Sequence, residues 1–114
     1  MARFERLVVW ERAQEFAVEV ERVARELRYD AADQLRRSSA SVADNVAEGA
    51  ERGSEADFAR FVSIAAGSCA EAQSQLRRAQ RFGCDARELI CEAQQIGWML
   101  AALRARLTAA RETG

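Results

Sequence analysis

Apolar residues recur every three or four positions along four segments of the sequence, and this spacing constrains the fold more than any other feature. The most regular segment is the last, with a seam formed by Leu89, Ala93, Ile96, Leu100, Leu103 and Leu107. Side chains at this spacing lie on one side of an α-helix. None of the 114 residues is proline, which would interrupt a helix. We therefore expect helix almost throughout, and nothing in the sequence indicates a strand.

Three short breaks divide the chain into four predicted helices, at about residues 8–28, 31–48, 55–81 and 86–110. Gly49 and Gly83 suit the ends of helices, and Ser54 suits a helix start because its hydroxyl can accept a bond from a free backbone N–H. Short connections join neighbours that run in opposite directions. The sequence thus predicts one all-α domain over residues 1–114, an antiparallel up-down-up-down four-helix bundle.

Charge and cysteine content argue against several classes of function. Seventeen basic residues stand against 18 acidic ones, a net charge of −1, so the whole chain does not attract nucleic acid. There is no histidine, and the three cysteines form no CxxC pair, so a zinc site and a cysteine–histidine catalytic pair are both excluded. We predict a protein that is not an enzyme and has no catalytic residue, metal site or cofactor.

The sequence also bears on location in the cell. No window approaches the roughly 18 uncharged apolar residues of a membrane-spanning helix. The first ten residues include Arg3, Glu5 and Arg6 and do not resemble a signal or transit peptide. We expect a cytoplasmic protein without membrane contact.

Polar side chains interrupt the apolar pattern on the second and third predicted helices. A buried polar group without a partner costs roughly 1–3 kcal/mol. We therefore interpret these side chains as a satisfied internal network that fixes helix register and extends to subunit contacts, with a pocket for a small anion as the alternative. Its predicted members are Arg37, Ser41, Asn45, Glu48, Arg52, Arg60, Ser68 and Glu71.

Arginines concentrate where the bundle topology brings the ends of the first and third helices beside the starts of the second and fourth. The candidate nucleic-acid-binding residues there are Arg77, Arg78, Arg81 and Arg87. Repeated around a ring, they could contact phosphates; a solvated arginine surface is the alternative. The charged side of the first helix, which includes Glu15 and Glu19, is also interpreted as solvated.

Three segments carry a resemblance to a known family. They are residues 4–13, with Phe4, Leu7, Val9, Trp10 and Ala13, residues 35–49, and residues 58–68. The most specific part is Ser-Val-Ala-Asp-Asn-Val-Ala-Glu-Gly at 41–49. Together they resemble the small four-helix-bundle proteins encoded by intervening sequences in bacterial 23S rRNA genes, and their stand-alone relatives.

This resemblance implies an antiparallel four-helix bundle that assembles as a homo-oligomer, with a five-fold ring as the associated form. A related branch is the accessory protein of diversity-generating retroelements, which binds nucleic acid through basic residues; for most members no activity is known. The expected function is a pentameric bundle that binds RNA or a nucleic-acid-bound protein. The alternative is a structural or protein-binding oligomer without affinity for nucleic acid. We expect Trp98, or the small residues around Gly67, at a subunit contact.

Overall fold

The computed structural model describes the backbone of residues 2–113 and the side chains of residues 2–110. A short 3₁₀ helix, Arg3–Arg6, precedes five α-helices. These are α1 (Val8–Glu19), α2 (Glu21–Ala24), α3 (Tyr29–Ala50), α4 (Glu55–Arg81) and α5 (Arg87–Thr113). No strand occurs between residues 2 and 113, which confirms the all-α prediction.

The first predicted helix differs from the observed one. Instead of one helix to Arg28, the structure has α1 and α2 separated at Val20, and α2 ends at Ala24. Around this break the N–H of Val23 bonds to the carbonyl of Val20, the tighter spacing of a 3₁₀ turn. Val20 and Val23 are both fully buried. Since residues three apart share one side of a helix, both valines face the core on either side of the break, as the apolar spacing predicts.

Neighbouring helices run in opposite directions. Three pairs of neighbours show this: α1–α2 with α3, α3 with α4, and α1–α2 with α5. In each pair, the residue numbers of the contacts rise along one helix and fall along the other. The pairs that show this are Phe4–Glu51 with Glu21–Arg36, Gly49–Phe61 with Ser38–Gln75, and Arg12–Glu92 with Arg22–Asp85. The α1–α2 segment, α3, α4 and α5 form one helical bundle around a shared core.

The core is filled by the apolar seams that the sequence shows. Its largest fully buried side chains include Phe16, Leu35, Phe58, Ile96 and Leu100. Burying such a side chain contributes roughly 1.5–3 kcal/mol. This shared core holds the helices in place relative to one another.

The turn between α4 and α5 holds one aromatic residue at the surface. Gly83 has φ +102°, the left-handed conformation that favours glycine. The N–H of Cys84 bonds to the carbonyl of Ala79, and that of Gly83 to the carbonyl of Gln80, which is a complete Schellman motif. Phe82, which precedes Gly83, is 75% exposed.

Within residues 2–113, no helix combines the length and the apolar character needed to cross a membrane.

Candidate functional site

Three of the predicted network residues form a polar cluster between α3 and α4. The hydroxyls of Ser41 and Ser68 are 2.9 Å apart, and Asn45 Nδ2 donates to both the carbonyl and the hydroxyl of Ser41, at 2.8 Å each. All three residues are half-buried. This polar cluster joins the middle of α3 to the middle of α4 and fixes their register.

The five charged members of the predicted network do not belong to it. Arg37 pairs with Asp33 on its own helix, at 3.0 Å, and its side chain is 80% exposed. Glu71 is exposed and makes no hydrogen bond or ion pair with the residues that the structure describes. The internal placement predicted for Arg37, Glu48, Arg52, Arg60 and Glu71 is therefore wrong. Their long side chains reach solvent past the small residues beside them, so they need no internal partner.

Two of these arginines instead support the turn between α3 and α4. The guanidinium groups of Arg52 and Arg60 lie 5.3 and 4.5 Å from the centre of the Phe61 ring. Both also pair with Asp57, at 3.5 and 3.7 Å, and Glu48 lies 3.7 Å from Arg52. Sequence reasoning missed Asp57 as their shared partner. Its place in the first turn of α4, where acidic residues are favoured, was the available signal.

The predicted arginine site divides into a paired and an unpaired part. Arg87 forms a fork with Asp85, and this contact raises the pKa of Arg87 and lowers the pKa of Asp85. Arg77, Arg78 and Arg81 are exposed, and no carboxylate in the described part of the chain pairs with them. We name these three residues the arginine cluster. It carries a local positive charge that no carboxylate among the described residues compensates.

Some other arginines at the same end of the bundle have polar partners. Arg36 donates to Glu21 at 2.8 and 2.7 Å, and Arg25 lies 3.5 Å from the same carboxylate. Arg22 donates to the backbone carbonyl of Asp85. The sequence shows these arginines as equivalent, whereas the structure gives Arg25 and Arg36 a carboxylate partner. Arg22 and Arg28 have no ion pair among the described residues, and neither do the three arginines that lie together on the last turns of α4.

A groove of about 1050 Å³ separates α1 and α2 from α5. Phe16, Val18 and Leu89 contribute apolar lining. Five glutamates and two arginines also line it. Glu15, Glu19 and Glu88 have no ion pair among the described residues, and Arg22 and Arg25 lie at the α2 end of the groove. We name it the acidic groove. Sequence reasoning interpreted Glu15 and Glu19 as a solvated face and missed the groove, because it depends on the gap between helices remote in sequence.

The three cysteines occupy different environments. Burial raises the pKa of the Cys69 thiol to about 11, outweighing the opposing hydrogen bond from the backbone of Gly97. Cys69 donates to the carbonyl of Ala93, and Cys84 is also buried with a raised pKa. Both buried thiols are protonated at neutral pH and are poor nucleophiles. Cys91 is exposed on α5.

Comparison with known proteins places the chain in a family. The model of the 23S rRNA-intervening sequence protein family matches residues 5–102. The chain belongs to this family. A solved structure from the S23 ribosomal protein family of Bacteroides thetaiotaomicron, described as a protein with unknown function, superposes with a TM-score of 0.79. It is 22% identical and aligns over 85% of this chain and 98% of its own. It therefore supports the fold of this intervening-sequence protein. No curated protein matches significantly in sequence.

Proposed function

We propose that this intervening-sequence protein is a cytoplasmic, non-enzymatic homo-oligomer that binds RNA phosphates through its arginine cluster. The observation that carries the proposal is that Arg77, Arg78 and Arg81, all exposed on the last turns of α4, have no carboxylate partner among residues 2–110. Guanidinium groups bind phosphate oxygens in a bidentate manner. The family's connection with 23S rRNA supports RNA as the source of the phosphates.

Assembly makes such a small cluster effective. Three arginines on one chain with a net charge of −1 give weak, strongly screened attraction, since the Debye length is about 8 Å at physiological salt. A ring repeats the cluster once per copy, so that several clusters contact one RNA and each further contact is intramolecular. The five-fold ring implied by the family resemblance is the form that we propose.

The test is a binding titration of labelled single-stranded RNA at several salt concentrations. The R77Q/R78Q double variant removes two phosphate contacts from each copy, and we expect the slope of log K against log salt to fall in magnitude by about 1.4 for every copy that contacts the RNA. The matched control is R104Q/R106Q, which neutralises two exposed arginines of α5. This control should retain the wild-type slope. Absence of RNA binding to the wild type at low salt would refute the proposal.

A second candidate is an oligomer without affinity for nucleic acid, and the acidic groove is the observation that favours it. Unpaired glutamates repel phosphate and attract basic protein surfaces. Native mass spectrometry of the protein purified without nuclease treatment separates the two candidates. Retained RNA supports the first, and an RNA-free oligomer supports the second. A monomer at tens of micromolar contradicts the oligomeric part of both.

A further inference from the structure

Phe82 is an exposed aromatic residue on a turn that is held in one conformation. Its N–H bonds to the carbonyls of Arg78 and Ala79, and the Schellman motif fixes the next two residues. The ring gains no burial within its own chain, since it is 75% exposed. A rigid aromatic of this kind loses little conformational entropy when a partner covers it, which is typical of an interface anchor.

The acidic groove has the complementary shape. It is open between α1–α2 and α5, and its volume of about 1050 Å³ exceeds what one aromatic ring requires. Val18, which is 70% exposed, supplies apolar contact area at the opening, whereas Phe16 and Leu89 are almost fully buried. The groove can therefore receive an apolar side chain together with the polar residues that flank it.

The α4–α5 turn and the α1 part of the acidic groove also carry opposite charges. Arg81 directly precedes Phe82 and has no ion-pair partner within the described chain. Glu15 and Glu19 line the groove one helical turn apart and are likewise unpaired in the part of the chain that the structure describes. The positive residue accompanies the protruding ring, and the negative residues line the α1 part of the groove, whereas Arg22 and Arg25 line its α2 end.

From this complementarity we infer that the acidic groove of one copy receives Phe82 and Arg81 from a second copy of the same chain. The inference rests on the homo-oligomer proposed above and identifies its contact. Phe82 packs against Val18, and Arg81 pairs with Glu15 and Glu19. In the assembled protein Arg81 is therefore part of the subunit contact, and Arg77 and Arg78, one turn earlier on α4, are the two members of the arginine cluster that contact phosphate.

The two surfaces of this contact are different parts of the molecule. Each copy gives its α4–α5 turn to one neighbour and receives the turn of another, the head-to-tail arrangement that closes into a ring. The receiving surface continues along α5, because a second hollow shares Glu88 and Glu92 with the groove and reaches Gln95. Trp98, which is 65% exposed, follows one turn later. Trp98, the residue expected at a subunit contact, therefore lies on α5 just beyond this surface.

The experiment uses two variants that each lose one side of the contact. R81Q/F82A removes the charge and the aromatic ring of the inserted turn, and E15R/E19R reverses the charge of the α1 part of the groove. All four residues are exposed, so folding should be retained, and circular dichroism verifies it. We expect each variant alone to be monomeric at concentrations where the wild type is oligomeric. Y29A is the matched control, because Tyr29 is an 85% exposed aromatic at the same end of the bundle, and it should assemble normally.

Mixing the two variants gives the decisive result. Each retains the half that the other lacks, so one productive contact remains, and we expect a 1:1 heterodimer in native mass spectrometry. If R81Q/F82A keeps the wild-type oligomer, the inferred contact is wrong while the homo-oligomer proposal stands. If the mixture stays monomeric, the pairing of these two surfaces is wrong. A monomeric wild type overturns this inference and the proposed oligomer together, whereas the RNA titration tests phosphate binding separately.

Discussion

Gly49 of α3 lies so close to Phe61 of α4 that an alanine Cβ at position 49 would be 2.6 Å from the Cβ of Phe61. Real Cβ atoms do not approach so closely, and the nearer atom of Phe61 is fixed to its backbone. The two helices must therefore separate to accept any side chain at this position. Glycine at position 49 is what lets α3 and α4 approach each other at this end of the bundle.

We therefore expect G49A to lower the free energy of unfolding by about 1–3 kcal/mol, the usual cost of overpacking, even though alanine is the better helix former. Denaturant unfolding measures it. G67A is the control, since a Cβ at Gly67 would meet nothing within 4 Å. That variant should be neutral or more stable by up to about 1 kcal/mol. Equal destabilisation of both variants would contradict this explanation.

The hydroxyl of Ser41 connects Asn45 to Ser68, so its removal should weaken the register between α3 and α4. We expect S41A to lose about 0.5–1.5 kcal/mol, because Asn45 keeps its bond to the Ser41 carbonyl while Ser68 loses its partner. S74A, at an exposed position of α4, should change stability by less than about 0.5 kcal/mol. In a double-mutant cycle S41A and S68A should not be additive; strict additivity would argue against a shared hydrogen bond.

The pair of Glu21 and Arg36 should make stability depend on pH. The hydrogen bonds from Arg36 lower the pKa of Glu21 below its usual value of 4.5. Because the folded state holds the carboxylate ionised, this contribution is present above pH 4.5 and is lost as pH falls through the lower pKa of the folded state.

Melting temperatures of the wild type and E21Q from pH 7 to pH 3 test this dependence. The wild type should be more stable at pH 7, and its advantage should shrink below pH 4.5. E11Q, which removes an exposed carboxylate without an ion pair in the described chain, should follow the wild type throughout. A difference between wild type and E21Q that does not change with pH would rule out the ion pair as its source.

The three thiols should react at different rates. Cys91 is exposed, whereas Cys69 is buried with a pKa of about 11 and Cys84 is buried with a raised pKa. Since the thiolate is the reacting form, dilute native protein at pH 8 should show one fast thiol per chain with a disulfide reagent. The C91S variant should lack this fast phase, and denaturant should release the remaining thiols. Persistence of the fast phase in C91S would mean that a buried cysteine is accessible through local opening.

Local information was sufficient for much of this fold. The bounds of α4, Glu55 to Arg81, equal those that the capping serine and the apolar spacing predict, and the backbone of Asp57 does donate to the hydroxyl of Ser54. The motif at 41–49 is specific enough to predict the family that the comparison shows. These features depend on residues within one or two helical turns of each other.

The functional surfaces were only partly predictable. The sequence selects Ser41, Asn45 and Ser68 for a shared cluster correctly, because small polar residues on an apolar face need partners. It assigns Arg37 and Glu71 to the same cluster wrongly, since spacing alone does not show how far a long side chain reaches. It also does not distinguish Arg81, which is unpaired, from Arg36, whose carboxylate partner lies on another helix.

The sequence by itself determined that this chain forms helices, where most of them begin and end, and which family it belongs to. Only the tertiary structure decided that the first helix breaks at Val20 and that a groove lined mainly by glutamates opens between α1–α2 and α5. It also decided that the arginine cluster has no carboxylate partner among the described residues. The physical reason is the separation in sequence over which each kind of interaction acts. Helix periodicity and capping act over three or four residues, whereas burial, ion pairing and grooves depend on distances between residues far apart in the chain.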